Sequence, residues 1–175
     1  MKRGFLELID KKWDPSVYCT ELMIQISHLE REINKFENEE NGNKSYFNIQ
    51  DEIADILFNL FNIANSIDLD YVSELIIKRK NHVNHKKVTS PVELCARIII
   101  NAGVLCDLLL RSEGYKFKLC GFEKSKVLNI TNSFIDTFMA VEDLAAFYEV
   151  NLFESFNIME MNARYFLQNA DIYIE

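Results

Sequence analysis

The chain has 175 residues, room for one domain or two small halves. Its 19 Lys and Arg against 27 Asp and Glu leave a formal net charge of −8 at pH 7, the wrong sign for nonspecific nucleic-acid binding. Hydrophobic residues make up 49%, enough for a buried core, while only 5 Gly and 2 Pro argue against a sandwich, a barrel or a Gly-rich phosphate loop.

In chain order, Met1-Lys2-Arg3-Gly4-Phe5-Leu6-Glu7-Leu8 begins a short helix expected over about 4–12. Glu7 and Asp10 interrupt the apolar run that a signal peptide needs. No later stretch has the length and freedom from charge of a membrane span, so the chain reads as cytoplasmic. The cysteines, Cys19, Cys95, Cys106 and Cys120, form no C-x-x-C pair. Three sit in apolar helical runs and read as reduced core thiols; a disulfide framework is the weaker reading.

Asp14-Pro15 is a helix start, with proline in the first turn where its missing N–H is not needed. The helix is expected near 15–34, with Leu22, Ile26, Leu29 and Ile33 on one stripe. A polar loop runs from Asn34 to Asn48. Helices follow near 48–67 (Ile49, Ile53, Ile56, Leu57, Leu60, Ile63, Ala64 and Ile67 on one face) and near 70–84. His85-Lys86-Lys87-Val88-Thr89 links to Ser90-Pro91, a second helix start of the same kind. Further helices are expected near 91–112, 124–148 and 152–168. The fold class is therefore all-α, an antiparallel helical bundle.

The two prolines are 76 residues apart, and at that offset Cys19 meets Cys95, Leu22 meets Ile98, Ile24 meets Ile100 and Leu29 meets Leu105. Further on the offset is 81: Asp55 meets Asp136, Leu57 meets Phe138, Ala64 meets Ala145 and Asn81 meets Asn162. Identities are few, and Phe61 opposite Glu142 and Ile56 opposite Thr137 break the pattern. The same helix plan nevertheless runs twice, which divides the chain into 1–87 and 88–175, two units too small to bury their apolar stripes alone.

One helix breaks its apolar face with charge. Glu52 and Asp55 lie at i and i+3 and share a side, continued by Asn59 and Asn62, among Ile53, Ile56, Leu57 and Leu60. Two carboxylates beside a buried face repel each other and are costly to desolvate. Either this edge is solvated or a hard divalent cation relieves the charge. On the preceding helix Gln25, His28 and Glu32 also share a face and can supply oxygen, nitrogen and oxygen donors.

Asp51-Glu52-Ile53-Ala54-Asp55-Ile56-Leu57-Phe58-Asn59-Leu60, with Trp13 and Leu29 before it and Ile67-Asp68-Leu69-Asp70 and Lys78-Arg79-Lys80-Asn81 after it, resembles the MazG-type all-α nucleoside triphosphate pyrophosphohydrolases, relatives of the dimeric dUTPases. The resemblance covers about 13–84 well and 91–165 as a worn copy. It implies two tandem MazG-like units forming an internal pseudo-dimer. It also implies a nucleoside triphosphate substrate cleaved to the monophosphate and pyrophosphate, and bound Mg²⁺ or Mn²⁺. The family pattern is E-x-x-E, a spacer, then E-x-x-D. Glu52 and Asp55 match the second pair and become the catalytic metal-holding residues; Gln25 and His28 fall on the first pair, neither acidic, and Glu32 stands one turn further as partial compensation. Lys78, Lys80 and Asn81 match positions that meet phosphate or close the site, although a basic helix end explains them as simply. Asn59 joins the substrate-binding set, as does Trp13, which can stack on a base or staple the helix start. In the second unit the pairs fall on Asn101 and Val104 and on Ser133 and Asp136, with Met159 in place of Lys78. His82-x-x-His85 has ligand spacing but lacks acids beside it. An enzyme with an altered metal site, a pseudoenzyme that binds a nucleotide or a protein, and a bundle with no nucleotide role are the three readings; the partners imply no nucleic acid and no membrane, and a further homodimer is open.

Overall fold

The computed structural model describes residues 13–38, 46–82, 90–115 and 125–169. The expected helix at 4–12, residues 39–45 of the 34–48 loop, the 85–89 link and Cys120 lie outside the described residues, as do the side chains of Asn81 and His82. Six helices make up the described residues: α1 (Pro15–Asn38), α2 (Phe47–Ser66), α3 (Val72–His82), α4 (Pro91–Ser112), α5 (Ser125–Phe147) and α6 (Leu152–Asn169), with no strand among them. The all-α bundle expected from the sequence is what forms. Helix α1 runs a turn beyond the Asn34 boundary, because Phe36 packs into the core and Asn38 Nδ2 donates to the Asn34 carbonyl at 2.7 Å.

The helix ends follow their sequence signals. At the start of α4 the Glu93 N–H donates to Ser90 Oγ at 3.2 Å and the Ser90 N–H donates to Glu93 Oε2 at 3.3 Å, a complete capping box before Pro91. Ser90→Ala removes it and is expected to destabilise the protein by about 1 kcal/mol, read as a fall in urea midpoint at unchanged slope. At α6 Asn151 Oδ1 accepts from the Phe153 and Glu154 N–H groups at 3.1 and 3.2 Å. The C-termini of α2 and α5 close alike. The Leu69 N–H donates to the Ala64 carbonyl, and the Val150 N–H to that of Ala145, each at 2.8 Å. Asp68 and Glu149 take the left-handed position between, at φ 49° and 56°. All three residues of each closure are 81 apart from their counterparts.

Burial keeps the same register. Tyr18, Cys19, Leu22, Ile26, Leu29 and Ile33 are buried on α1, as are Leu94, Cys95, Ile98, Ala102, Leu105 and Leu109 on α4, each 76 residues later. On α2 Ile49, Ile53, Ile56, Leu57, Leu60, Ile63 and Ala64 are buried, as are Ile130, Phe134, Thr137, Phe138, Val141, Leu144 and Ala145 on α5, each 81 later. Leu69, Tyr71 and Leu75 pack on the core from the side, as do Val150, Leu152 and Phe156 at the same 81.

The main pairings are α1 with α2, α4 with α5, α1 with α4, and α2 with α5; α3 lies against α5 and α6 against α2. This pattern maps onto itself when the first three helices exchange with the last three. Each short third helix therefore crosses to the other triplet. The pairs Glu32–Asn48 and His28–Glu52 fix α1 and α2 as antiparallel; Asn101–Asp136 and Arg97–Asp143 do the same for α4 and α5. Where the triplets meet, Phe61 of α2 touches Phe138 and Phe156 with ring centroids 5.9 and 5.7 Å apart, and Tyr71 sits 4.6 Å from the ring of Phe134. Cys19, Cys95 and Cys106 are free and buried, in line with reduced core thiols.

Candidate functional site

The antiparallel packing of α1 on α2 sets the two i, i+3 pairs opposite each other. Gln25 and His28 come from α1, Glu52 and Asp55 from α2. His28 Nδ1 lies 3.2 Å from Gln25 Oε1 and 3.9 Å from Glu52 Oε2. The Glu52 side chain is only 16% exposed, and its Oε2 is fully buried with no hydrogen-bond partner. A buried carboxylate oxygen without a donor is an unfavourable arrangement that calls for a cation or a proton.

The electrostatics agree with the geometry. Burial, then the charges of Asp55, Asp51 and Glu32, push the Glu52 carboxyl up to about 7. Burial and the Asp51 charge push Asp55 up to about 6, and His28 pulls it partly back. Asp51, exposed at the head of the same helix, is a third negative charge that the motif reading passed over. Asn59 is buried and its Nδ2 donates to the Asp55 backbone carbonyl at 3.0 Å. It braces the helix beneath Asp55.

The remaining expected residues are placed differently. Glu32 is buried, and its carboxylate is already engaged. Lys35 Nζ and Arg31 Nε donate to Oε1 at 2.7 and 3.2 Å, and Asn48 Nδ2 donates to Oε2 at 3.0 Å. Lys35 first, then Asn48, hold its carboxyl down to about 2. It acts on Glu52 through its charge while its own oxygens tie α1 to the start of α2. Lys78 is drawn to the other triplet, where its Nζ donates to Asp136 Oδ1 at 2.8 Å; it is not brought to Glu52 and Asp55. The cation whose charge reaches Glu52 is Arg31 instead. Arg31 and Lys35 also border an open groove of about 460 Å³, lined further by Ser27, Glu30 and Asn34. Trp13 is 39% exposed with its ring 5.6 Å from that of Tyr18, the stapling contact at the helix start. The Asn81 side chain lies outside the described residues.

No family model, no curated protein and no solved structure matches this chain. The site is thus judged on its own donors. Among the described residues no three His, Cys, Asp or Glu side chains stand close enough together to hold a metal ion. Glu52 and Asp55 provide two carboxylates, Gln25 an amide oxygen and His28 an imidazole. Two carboxylates, with the rest of the shell left to water and substrate phosphate, are the usual protein share at Mg²⁺. The imidazole suits Mn²⁺ or a later transition ion better. The Glu52 oxygen without a partner lies 3.9 Å from His28 Nδ1; a cation there would have the Glu52 and Asp55 carboxylates and would draw the rest of its shell from outside the described side chains.

Proposed function

We propose that the chain is a MazG-like nucleoside triphosphate pyrophosphohydrolase with an altered metal site, its six helices being two copies of one three-helix unit folded as an internal pseudo-dimer. The shared burial register, the twin closures of α2 and α5 and the reciprocal crossing of α3 and α6 support the doubled plan. A twofold pairing of this kind is what an isologous dimer becomes when its subunits are joined.

The observation that carries the activity is the unpartnered, buried Glu52 oxygen facing His28, one turn from Asp55. Glu52 and Asp55 would hold the cation, with Gln25 and His28 at its edge. When bound, the ion would supply the positive charge that a triphosphate tail requires. The chain's own residues then have separable tasks. Asn59 steadies the carrying helix. Glu32, held by Lys35 and Asn48, fixes the α1–α2 spacing. Arg31 offers a positive charge that reaches Glu52 from the rim of the neighbouring groove. The reaction adds water across one phosphoanhydride bond, so that pyrophosphate leaves and a nucleoside monophosphate remains.

A panel of NTPs and dNTPs, incubated with Mg²⁺ or Mn²⁺ and assayed for pyrophosphate, tests this reading. At least one nucleotide is expected to release pyrophosphate, with loss of about 100-fold or more in Glu52→Gln and Asp55→Asn. The replacement of the first acidic pair by Gln25 and His28 favours a second reading, a pseudoenzyme that binds a nucleotide or a protein without turnover. Thermal stabilisation by one nucleotide with no pyrophosphate formed selects it. Neither effect, with every metal tried, removes the nucleotide from both.

A further inference from the structure

The outward face of α4 carries a seam whose charges are self-complementary. Glu93, Arg97, Ile100, Val104, Asp107 and Arg111 follow one another at spacings of four, three, four, three and four, which keeps them within about 80° of the helix circumference. That is the spacing by which one helix seats along another in a coiled coil. At the centre of the seam Ile100 and Val104 stand out to 63% and 48% exposure, uncovered among the described residues.

The order of charges decides what fits. Mirrored about Ala102, Glu93 falls opposite Arg111, Arg97 opposite Asp107, and Ile100 opposite Val104. A second α4 laid antiparallel on the first therefore meets acid with base at every charged position and apolar with apolar at the centre. A parallel copy would set each charge against its own kind, which is costly. The charged groups remain reachable. Arg97 keeps 41% of its side chain exposed while it reaches Asp143, and Arg111 and Asp107 keep 32% and 33% while they pair along the helix. Beside the seam, Gly103 has open space where a Cβ would stand, so a partner backbone can lean in closely there. The matching face of α1, 76 residues earlier, reads Val17, Glu21, Ile24, His28, Arg31 and Lys35. Mirrored in the same way, it sets Val17 against Lys35 and Ile24 against His28. Of the two faces, α4 alone complements itself.

We propose that two copies of this chain join through α4, packed antiparallel about a twofold axis at the level of Ala102. Ile100 and Val104 form the centre, and Glu93–Arg111 and Arg97–Asp107 pairs run between the chains on either side. The interface is isologous, so each pairing occurs twice. This goes beyond the nucleotide reading and does not depend on it.

Sedimentation velocity of the full chain from about 1 to 300 µM tests it. A short apolar centre with charged flanks is a small interface, so a dimer with Kd of about 10–50 µM is expected. Ile100→Asp and Val104→Asp each place like charges at the centre and should weaken it by about 30-fold or more. Ile24→Asp, at the register of Ile100 on α1, should leave it unchanged. Glu93→Lys and Arg111→Glu should each weaken association by about tenfold alone, and an equal mixture of the two should regain wild-type strength, because each supplies the charge that the other lacks. A wild type that stays monomeric, a dimer that survives both central substitutions, or one that Ile24→Asp also breaks overturns the proposal. So does a mixture of the charge variants that is no stronger than either alone.

Discussion

Glu52→Gln stabilises the metal-free protein at pH 8. The direction follows from the sign of the shift. The Glu52 carboxyl is pushed from 4.5 up to about 7, so the folded chain holds its proton where the unfolded chain has released it. Stability is then lost as pH rises through the window from about 4.5 to about 7, and a neutral amide escapes that loss. A shift of this size corresponds to about 3 kcal/mol at about 1.4 kcal/mol per pH unit. Solvent relaxation, the 16% exposure of the side chain and coupling to Asp55 reduce the expected gain to about 1–2 kcal/mol. In a chain of this length that is a rise of about 3–6 °C in melting temperature. Melts from pH 4 to pH 8 read it directly: wild type and variant should converge near pH 4.5 and separate above it. Added Mn²⁺ should raise the wild type and leave Glu52→Gln unmoved. A variant that melts below the wild type at pH 8 would show that the carboxylate is better accommodated than its orphaned oxygen implies.

The larger loss is expected at Phe134→Ala. Phe134 has no exposed surface and heads the largest fully buried side chains. Its ring meets that of Tyr71 from the segment leading into α3, so it both fills the core and docks the crossing helix. Truncation removes the transfer energy of the ring and leaves a cavity that the surrounding helices close only in part, about 3–5 kcal/mol. That is a fall of about 10 °C in melting temperature. The damage should reach α3 first. Hydrogen exchange of the α3 amides should accelerate more than that of α1, and the Lys78–Asp136 pair should weaken with it.

Much of this arrangement is legible in the sequence because apolar spacing reports burial directly. The offsets of 76 and 81, seen first in prolines, cysteines and a few aliphatic pairs, are the offsets at which the helices bury the same positions. Glu52 and Asp55 are legible for the complementary reason: carboxylates on the edge of an apolar face are costly, and the structure leaves one oxygen of Glu52 without a partner. What the spacing does not carry is contact between distant segments. Lys78 belongs by motif to Glu52 and Asp55, yet α3 crosses to α5 and delivers it to Asp136, because local periodicity cannot say which neighbour a short helix will choose. Glu32 reads as a free ligand until α1 and α2 pack and bring Asn48 to it. Arg31 carries no motif and is found only through its charge on Glu52.

The crossing of the two short helices has a consequence for the covalent continuity of the molecule. Each triplet keeps its third member on the surface of the other, so the halves clasp one another and do not merely abut. A backbone cut between α3 and α4 should therefore yield two fragments that copurify and reassemble when expressed apart. The peptide connection raises their effective concentration; the clasp itself holds them in register.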